Sequence, residues 1–225
     1  MTYVASRYEA VRRAVADAAD CAGRSADEVT IVAVTKTVGI EDIRHAIAAG
    51  ARDFGENRVQ EFLGKYGLFT GVNWHFIGTL QTNKVKDIVG RTCLIHSVDS
   101  VKLLDTIDRK SAEIGVVQPV LLEVNIAGEA SKHGFVPADL PDALLEASRS
   151  ENVLVRGLMT MAPFARPEEV RWVFRELREL RDSLRESALD GVELDELSMG
   201  MTNDFRVAVE EGATIVRVGR AIFGK

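Results

Sequence analysis

The sequence predicts an α/β fold, specifically a (β/α)8 TIM barrel with an extra helix at its N-terminus. Short β-branched runs alternate with amphipathic stretches along the whole chain, which is typical of a parallel sheet. Eight such units in 225 residues match the usual size of this barrel. The first run, residues 29–34, has no polar face, as expected for a strand that is buried on both sides.

The individual elements follow from residue spacing and from the residues that end them. Residues 3–21 predict a helix because apolar residues such as Val4, Tyr8 and Val11 recur at helical intervals, and Gly23 ends it. The predicted strands are residues 29–34, 52–55, 74–77, 94–97, 120–125, 155–159, 193–198 and 214–218. The predicted helices between them are residues 40–49, 59–66, 82–89, 101–114, 137–150, 167–187 and 204–211.

A doubly wound open sheet is the main alternative to the barrel. That fold usually carries a glycine-rich dinucleotide loop after its first strand. Here Thr35, Lys36 and Thr37 follow the first strand, so the barrel is favoured. No linker or low-complexity segment divides the chain, and we expect a single domain over residues 1–225, in which residues 1–27 form the N-terminal helix and its connection.

Composition excludes several functional classes. Asp and Glu number 34 against 28 Lys and Arg, a net charge of −6, so neither nucleic acid nor an anionic membrane is an expected partner. Two cysteines, and four histidines without ligand spacing, do not support a metal site. No apolar run approaches the length of a membrane span, and the charged N-terminal segment does not resemble a secretory signal. We therefore expect a cytoplasmic protein.

Polar residues at the carboxyl ends of the strands are the candidates for function, because chemistry sits on that face of such barrels. Lys36 directly follows the first strand. A lysine at the barrel mouth with an apolar wall behind it can act as a nucleophile and form a Schiff base with a carbonyl, or it can simply extend into solvent.

The ends of the last two strands suggest a phosphate site. Ser198 and Gly200 follow the seventh strand and Gly219 follows the eighth, where such barrels often bind phosphate, although ordinary turns also use these residues. Arg217 lies within the last strand and requires a partner, for which a salt bridge to Glu123 or Glu193 is the structural explanation.

Asn57 and His75 lie on the second and third barrel units and are ambiguous. Each is either a ligand-binding residue or a satisfied structural group at the barrel rim.

Seven motifs together resemble the pyridoxal phosphate homeostasis proteins, also called the proline-synthetase-co-transcribed family. The motifs lie within residues 31–224. They are AVTKT at 33–37, FGENRVQE at 54–61, WHFIGTLQTNK at 74–84, Asn125 with SKHG at 131–134, RGLM at 156–159, LSMGMTND at 197–204 and VRVGRAIFG at 216–224. The family is similar to the barrel domain of alanine racemase, fold type III among proteins that bind pyridoxal 5′-phosphate (PLP). Thr35 and Thr202 stand where Ser is common in the family.

The resemblance implies a cofactor and residue roles. Lys36 matches the lysine that holds PLP as an internal aldimine, and Arg217 matches the arginine that faces the pyridine nitrogen. The phosphate-binding turns match Ser198, Gly200 and Gly219. The cavity-lining residues of the family match Asn57 and His75.

Two functions remain open at this stage. The first, which the resemblance implies, is a PLP-binding protein without catalytic turnover. It would take part in intracellular vitamin B6 homeostasis as a monomer, with apo PLP-dependent enzymes as candidate recipients. The second is a PLP-dependent amino-acid racemase, which requires a second base on the opposite face of the cofactor, and we expect no added domain here to supply one. A cofactor-free Schiff-base aldolase would also use Lys36 but would be colourless.

Overall fold

In the computed structural model the chain folds into a closed barrel of parallel strands in chain order, with the last strand paired to the first. The structure describes residues 2–129, 132–186 and 189–224. The strands are β1 Thr30–Val34, β2 Asp53–Glu56, β3 Asn73–Phe76, β4 Leu94–Val98, β5 Gln118–Glu123, β6 Val153–Met159, β7 Val192–Met201 and β8 Ile215–Val218. The predicted TIM barrel is confirmed.

Helices follow the strands on the outside of the barrel. They are α1 Tyr3–Cys21, α2 Ile40–Ala48, α3 Val59–Lys65, α4 Val101–Ile114, α5 Leu140–Ala147, α6 Pro167–Arg185, α7 Phe205–Glu210 and α8 Arg220–Phe223. The predicted helix 82–89 is instead a 3-10 helix, Thr82–Asp87. Its Thr, Asn, Val and Asp residues are weak α-helix formers, so a short tighter helix suffices there.

Another predicted helix also differs from the structure at its start. The helix predicted over 137–150 begins as a 3-10 turn at Pro137–Asp139 and continues as α5. The predicted end of α6 at Ser187 lies outside the described residues, as does Ser131 of the fourth sequence motif.

The N-terminal helix α1 covers the seam between β8 and β1. Since α8 has only four residues, it covers little of the barrel surface, and α1 packs against α2, α7 and α8 in its place. Val4, Val11 and Val15 of α1 are buried there, whereas Tyr3 is half exposed and its hydroxyl donates to the carbonyl of Gly224. The extra helix therefore completes the outer layer.

The interior of the barrel contains an apolar cluster as well as polar groups. The apolar cluster comprises Val32, Leu94, Leu121, Met159 and Ile215. It lies apart from the larger core between the strands and the outer helices. Within the described ranges, no helix is long and apolar enough to cross a membrane.

Candidate functional site

A cavity of about 360 Å³ opens at the carboxyl ends of the strands. It lies among the ends of β1, β2 and β8 and the loops that follow β6 and β7. Four of the seven candidate residues line this cavity, namely Lys36, Asn57, Arg217 and Gly219. The remaining three are His75, Ser198 and Gly200, which lie outside its lining.

Lys36 is exposed at the cavity mouth, and the loop that carries it is fixed on both sides by α3. The Nζ of Lys65 donates to the carbonyl of Thr35 at 2.7 Å, and a carboxylate oxygen of Glu61 accepts from the amide of Thr37 at 2.8 Å. Thr37 has a φ of 59°, which is unfavourable for a β-branched residue and persists only where its surroundings impose it. The backbone therefore holds Lys36 at the edge of the cavity, where its side chain is accessible to solvent.

A buried ion pair supports the same loop from below. Glu56 is fully buried at the end of β2 and pairs with Lys65 of α3. The same carboxylate oxygen accepts from the hydroxyl of Thr35 at 2.6 Å. Since an unpaired buried charge is strongly unfavourable, this pair ties α3 to the strand ends and so to Lys36.

Arg217 enters the cavity from inside the barrel. Its Nη1 donates to the Ser198 hydroxyl at 2.6 Å, and its Nη2 donates to the carbonyl of Thr160 at 2.9 Å. Burial lowers the pKa of Arg217 to about 10, although the charges of Glu123 and Asp204 oppose that shift. The guanidinium is therefore still a cation at neutral pH.

The salt bridge considered for Arg217 is not its direct contact. Glu193 instead pairs with Arg156 at 2.7 Å. Glu123 acts on Arg217 only through its charge, and burial raises the pKa of that carboxyl. Uncharged groups therefore form the hydrogen bonds that fix the guanidinium.

Ser198 and Gly200 have structural positions next to the cavity. Ser198 is fully buried, and its hydroxyl contacts His96 and Arg217. Gly200 has a φ of 90°, and a Cβ there would lie 2.5 Å from the Cβ of Ala208, so the chain requires glycine for the turn toward α7. Ser198 therefore binds Arg217, and Gly200 allows close packing of the backbone against α7.

His75 points into the barrel rather than into the cavity. Its ring nitrogens lie 2.9 Å from Nε2 of His96 and 3.1 Å from a carboxylate oxygen of Asp53. Burial, the neighbouring His75 and the charge of Arg217 hold the pKa of His96 well below its usual range. The two histidines therefore belong to a polar column inside the barrel.

Asn57 and Asp204 are further polar groups of the cavity. The Oδ1 of Asn57 is buried and has no hydrogen-bond partner among the described residues, so it is available to a ligand. Asp204 accepts from the amide of Met201 at 2.6 Å. Burial raises the pKa of Asp204, opposed by that hydrogen bond and by the charge of Arg217.

Sequence reasoning did not assign several residues that line the cavity. The loop after β6 contributes residues 161–164, of which Phe164 is 85% exposed at the rim. Thr202, Asp204 and Arg220 also line it. These last three lie inside the motifs 197–204 and 216–224, which was the available signal. The loop 161–164 carries no motif, and only its position after β6 could have indicated it.

Relatives of known name match nearly the whole chain. Residues 8–225 match the family described as alanine racemase, N-terminal domain. A pyridoxal phosphate homeostasis protein of Aquifex aeolicus is 46% identical over 222 residues, which are 97% of this chain and 96% of that protein. This chain belongs to the pyridoxal phosphate homeostasis protein family. The pyridoxal phosphate homeostasis protein of Escherichia coli K12 is 36% identical over 230 aligned positions, which cover 100% of this chain and 97% of that protein.

Solved structures agree with the fold. PipY of Synechococcus elongatus PCC7942 with PLP bound has a TM-score of 0.86 at 36% identity, covering 98% of this chain and 100% of PipY. An alanine racemase from Corynebacterium glutamicum has a TM-score of 0.73 at 16% identity, where this chain spans 61% of the enzyme. The second likeness establishes the shared barrel alone.

Proposed function

We propose that this protein binds PLP in the cavity at the carboxyl ends of the strands, with Nζ of Lys36 as the covalent attachment point, and takes part in PLP homeostasis. The observation that carries the proposal is the cavity itself, because a primary amine, an unpaired amide oxygen and a buried cation border one space. The PLP-bound PipY structure, at 36% identity over nearly all of both chains, supports the choice of ligand.

The cavity residues fit the chemistry of this cofactor. A volume of about 360 Å³ lies within the range of roughly 300–1,000 Å³ for small-molecule sites. The buried Oδ1 of Asn57 lacks a partner among the described residues, and a polar ligand would satisfy it. The cofactor supplies an aldehyde, which condenses with a primary amine and releases water.

Each lining residue has a role in this proposal. Lys36 provides the amine, and Arg217 presents hydrogen-bond donors to the pyridine nitrogen. The phosphate is assigned to the loops after β7 and β8, where Thr202, Gly219 and Arg220 line the cavity. The hydroxyl of Thr202 accepts from the amide of Ala221 at 3.3 Å, and the two loops are thereby connected. Ser198 contributes to the site indirectly, because it holds Arg217. Gly200 contributes by allowing the turn that leads to α7.

We propose in addition that the protein turns over amino acids poorly. Arg217 is a donor that stays charged, so it favours an unprotonated pyridine nitrogen and a weakly electron-withdrawing ring. Asp204 is the one acidic residue in the cavity lining of the described chain, and one of its carboxylate oxygens accepts from the amide of Met201. Lys36 is exposed at the cavity mouth, so water reaches the site. The monomeric state, the cytoplasmic location and transfer of PLP to apo enzymes stay predictions.

Attachment to Lys36 is tested by a visible spectrum, borohydride reduction and peptide mapping of the protein incubated with PLP. We expect a yellow protein and a pyridoxyl group on Lys36. Lys36→Ala should abolish the covalent chromophore and change the free energy of unfolding by less than about 0.5 kcal/mol, as for other exposed positions. Lys86→Ala, at an exposed lysine outside the cavity lining, is the matched control and should keep the label.

A label mainly on Lys84 or Lys132 would refute the attachment point, and a colourless protein would refute the ligand.

Poor turnover is tested separately by exchange of amino-acid α-protons in deuterated water with the PLP-loaded protein. Exchange near the rate with free PLP supports a binding protein. Exchange thousands of times faster would instead establish a racemase-like enzyme.

A further inference from the structure

A chain of hydrogen bonds crosses the interior of the barrel from Asp53, at the start of β2, to Arg217 near the end of β8. A carboxylate oxygen of Asp53 lies 3.1 Å from Nε2 of His75, whose Nδ1 lies 2.9 Å from Nε2 of His96. The Nδ1 of His96 lies 2.8 Å from the hydroxyl of Ser198, which contacts Nη1 of Arg217 at 2.6 Å. His96 and Ser198 are fully buried, and His75 and Arg217 nearly so.

The two ends of this chain have fixed donor and acceptor roles. A guanidinium can only donate, so Ser198 accepts from Arg217. An ionised carboxylate can only accept, so Nε2 of His75 donates to Asp53. Burial opposes ionisation of Asp53, but hydrogen bonds from His75 and Asn73 outweigh it and lower its pKa. Asp53 is thus the anionic end of the chain.

The fixed roles of Asp53 and Arg217 determine the donor and acceptor roles in the middle of this hydrogen-bond chain. A neutral His75 with its proton on Nε2 presents Nδ1 as an acceptor, so His96 must donate from Nε2. A neutral His96 then accepts at Nδ1, and the hydroxyl of Ser198 donates to it. All four hydrogen bonds run in the same direction, from the cation to the anion.

The opposite direction leaves a buried proton without a partner. If both nitrogens of His75 were protonated, His96 would accept at Nε2 and donate from Nδ1 to Ser198. Ser198 would then accept twice, and its own proton would need another acceptor. In the described part of the chain the Ser198 hydroxyl contacts only His96 and Arg217. An unsatisfied hydroxyl in a fully buried position is unfavourable.

We propose that Asp53, His75, His96 and Ser198 form a one-directional hydrogen-bond relay that positions Arg217 in the cavity. The relay holds Nη1 while the carbonyl of Thr160 holds Nη2, so the guanidinium plane is fixed from two sides. The relay itself is a property of the ligand-free chain, and its effect on the pyridine nitrogen of PLP rests on the proposed function. These four residues are positioning residues rather than ligands.

The direction of the relay is tested on the ligand-free protein by ¹H–¹⁵N correlation spectra of the histidine side chains near neutral pH. Signals are assigned with His75→Gln and His96→Gln. We expect both histidines to be neutral with the proton on Nε2. A proton on Nδ1 of either ring would overturn the proposal, whether or not the protein binds PLP.

The positioning effect is tested by comparing PLP with its 1-deaza analogue, in which carbon replaces the pyridine nitrogen. Ser198→Ala should weaken PLP by about three- to tenfold, the size of one hydrogen bond, and leave the analogue unchanged. Ser111→Ala is the matched control, because Ser111 is a fully buried serine of α4 without a hydrogen-bond partner among the described residues. It should change neither affinity.

Asp53→Ala interrupts the relay at its far end and also serves if Ser198→Ala does not fold. It should shift the ratio of the two affinities in the same direction, which a packing defect beside Arg217 would not explain. Equal weakening of both ligands, or no weakening of PLP, would overturn the positioning role. Failure of the unmodified protein to bind PLP would refute the proposed function, and the histidine spectra would still decide the relay.

Discussion

Lys65 and Arg217 are both buried cations close to the cavity, but they have different partners. Lys65 contacts the carboxylate of Glu56 directly and also the carbonyl of Thr35, and a second carboxylate, Glu61, lies 3.7 Å away. Arg217 contacts a hydroxyl and a carbonyl, and the carboxylates of Glu123 and Asp204 act on it through charge alone. Lys65 therefore forms an ion pair beneath the loop that carries Lys36, whereas Arg217 lines the cavity without a direct ion pair.

The difference explains how each cation contributes to the site. The donors of Lys65 are directed to groups of the protein, so Lys65 stabilises the loop that carries Lys36. Arg217 uses two of its five N–H groups on uncharged partners and lines the cavity, where other donors remain for a ligand. A direct carboxylate partner on Arg217 would compete with that ligand.

The largest expected effect is the loss of stability in Lys65→Met. This change leaves the carboxylate of Glu56 fully buried without its cation, which should lower the free energy of unfolding by about 3–5 kcal/mol. Urea denaturation measures the loss. The double variant Lys65→Met/Glu56→Gln should recover part of it, because the uncompensated charge is then removed. A double variant as unstable as the sum of the single ones would contradict a direct charge pair.

A smaller loss of stability, with a larger loss of binding, is expected for Arg217→Met. Its direct partners are uncharged, so the variant removes the donor to the Ser198 hydroxyl oxygen and the donor to the carbonyl of Thr160, at a cost of about 1–3 kcal/mol. PLP affinity, measured by absorbance titration, should fall more than it does in a Lys65→Met protein that is kept folded by lowering the temperature. The comparison between the two cations fails if Lys65→Met proves the milder in stability and the more damaging in binding.

The smallest expected effect is a dependence of stability on pH that comes from His96. Its folded pKa lies well below the ordinary value of 6.5, so its contribution is fully present above that pH and is lost as pH falls below it. The slope should be at most about 1.4 kcal/mol per pH unit. Glu123 and Asp204, whose pKa values burial raises, act in the opposite direction at lower pH.

The contribution of His96 is isolated as the difference between the unmodified protein and His96→Gln in urea denaturation at several pH values. The difference should shrink from pH 7 toward pH 5, because the variant has no imidazole to protonate on unfolding. A difference that is constant over this range would show that His96 is not buried as a neutral group.

The amino-acid sequence by itself determined the barrel and most of its element positions. Alternation of buried β-branched runs with amphipathic helices is a local property, so it can be read without contacts. The predicted helix over residues 101–114 agrees with α4 at both ends. Lys36 at the end of the first strand follows from the same reading, because a parallel barrel brings the carboxyl ends of its strands together.

Tertiary structure alone decided which polar residues meet and what they do. Asp53 and Arg217 are 164 positions apart in the sequence, and nothing local indicates that His75, His96 and Ser198 connect them. The same holds for Lys65, whose spacing in α3 suggests an ordinary surface lysine until β2 places Glu56 beneath it. Donor and acceptor roles depend on burial and on partners that closure of the barrel brings together, and no periodicity within one segment encodes them.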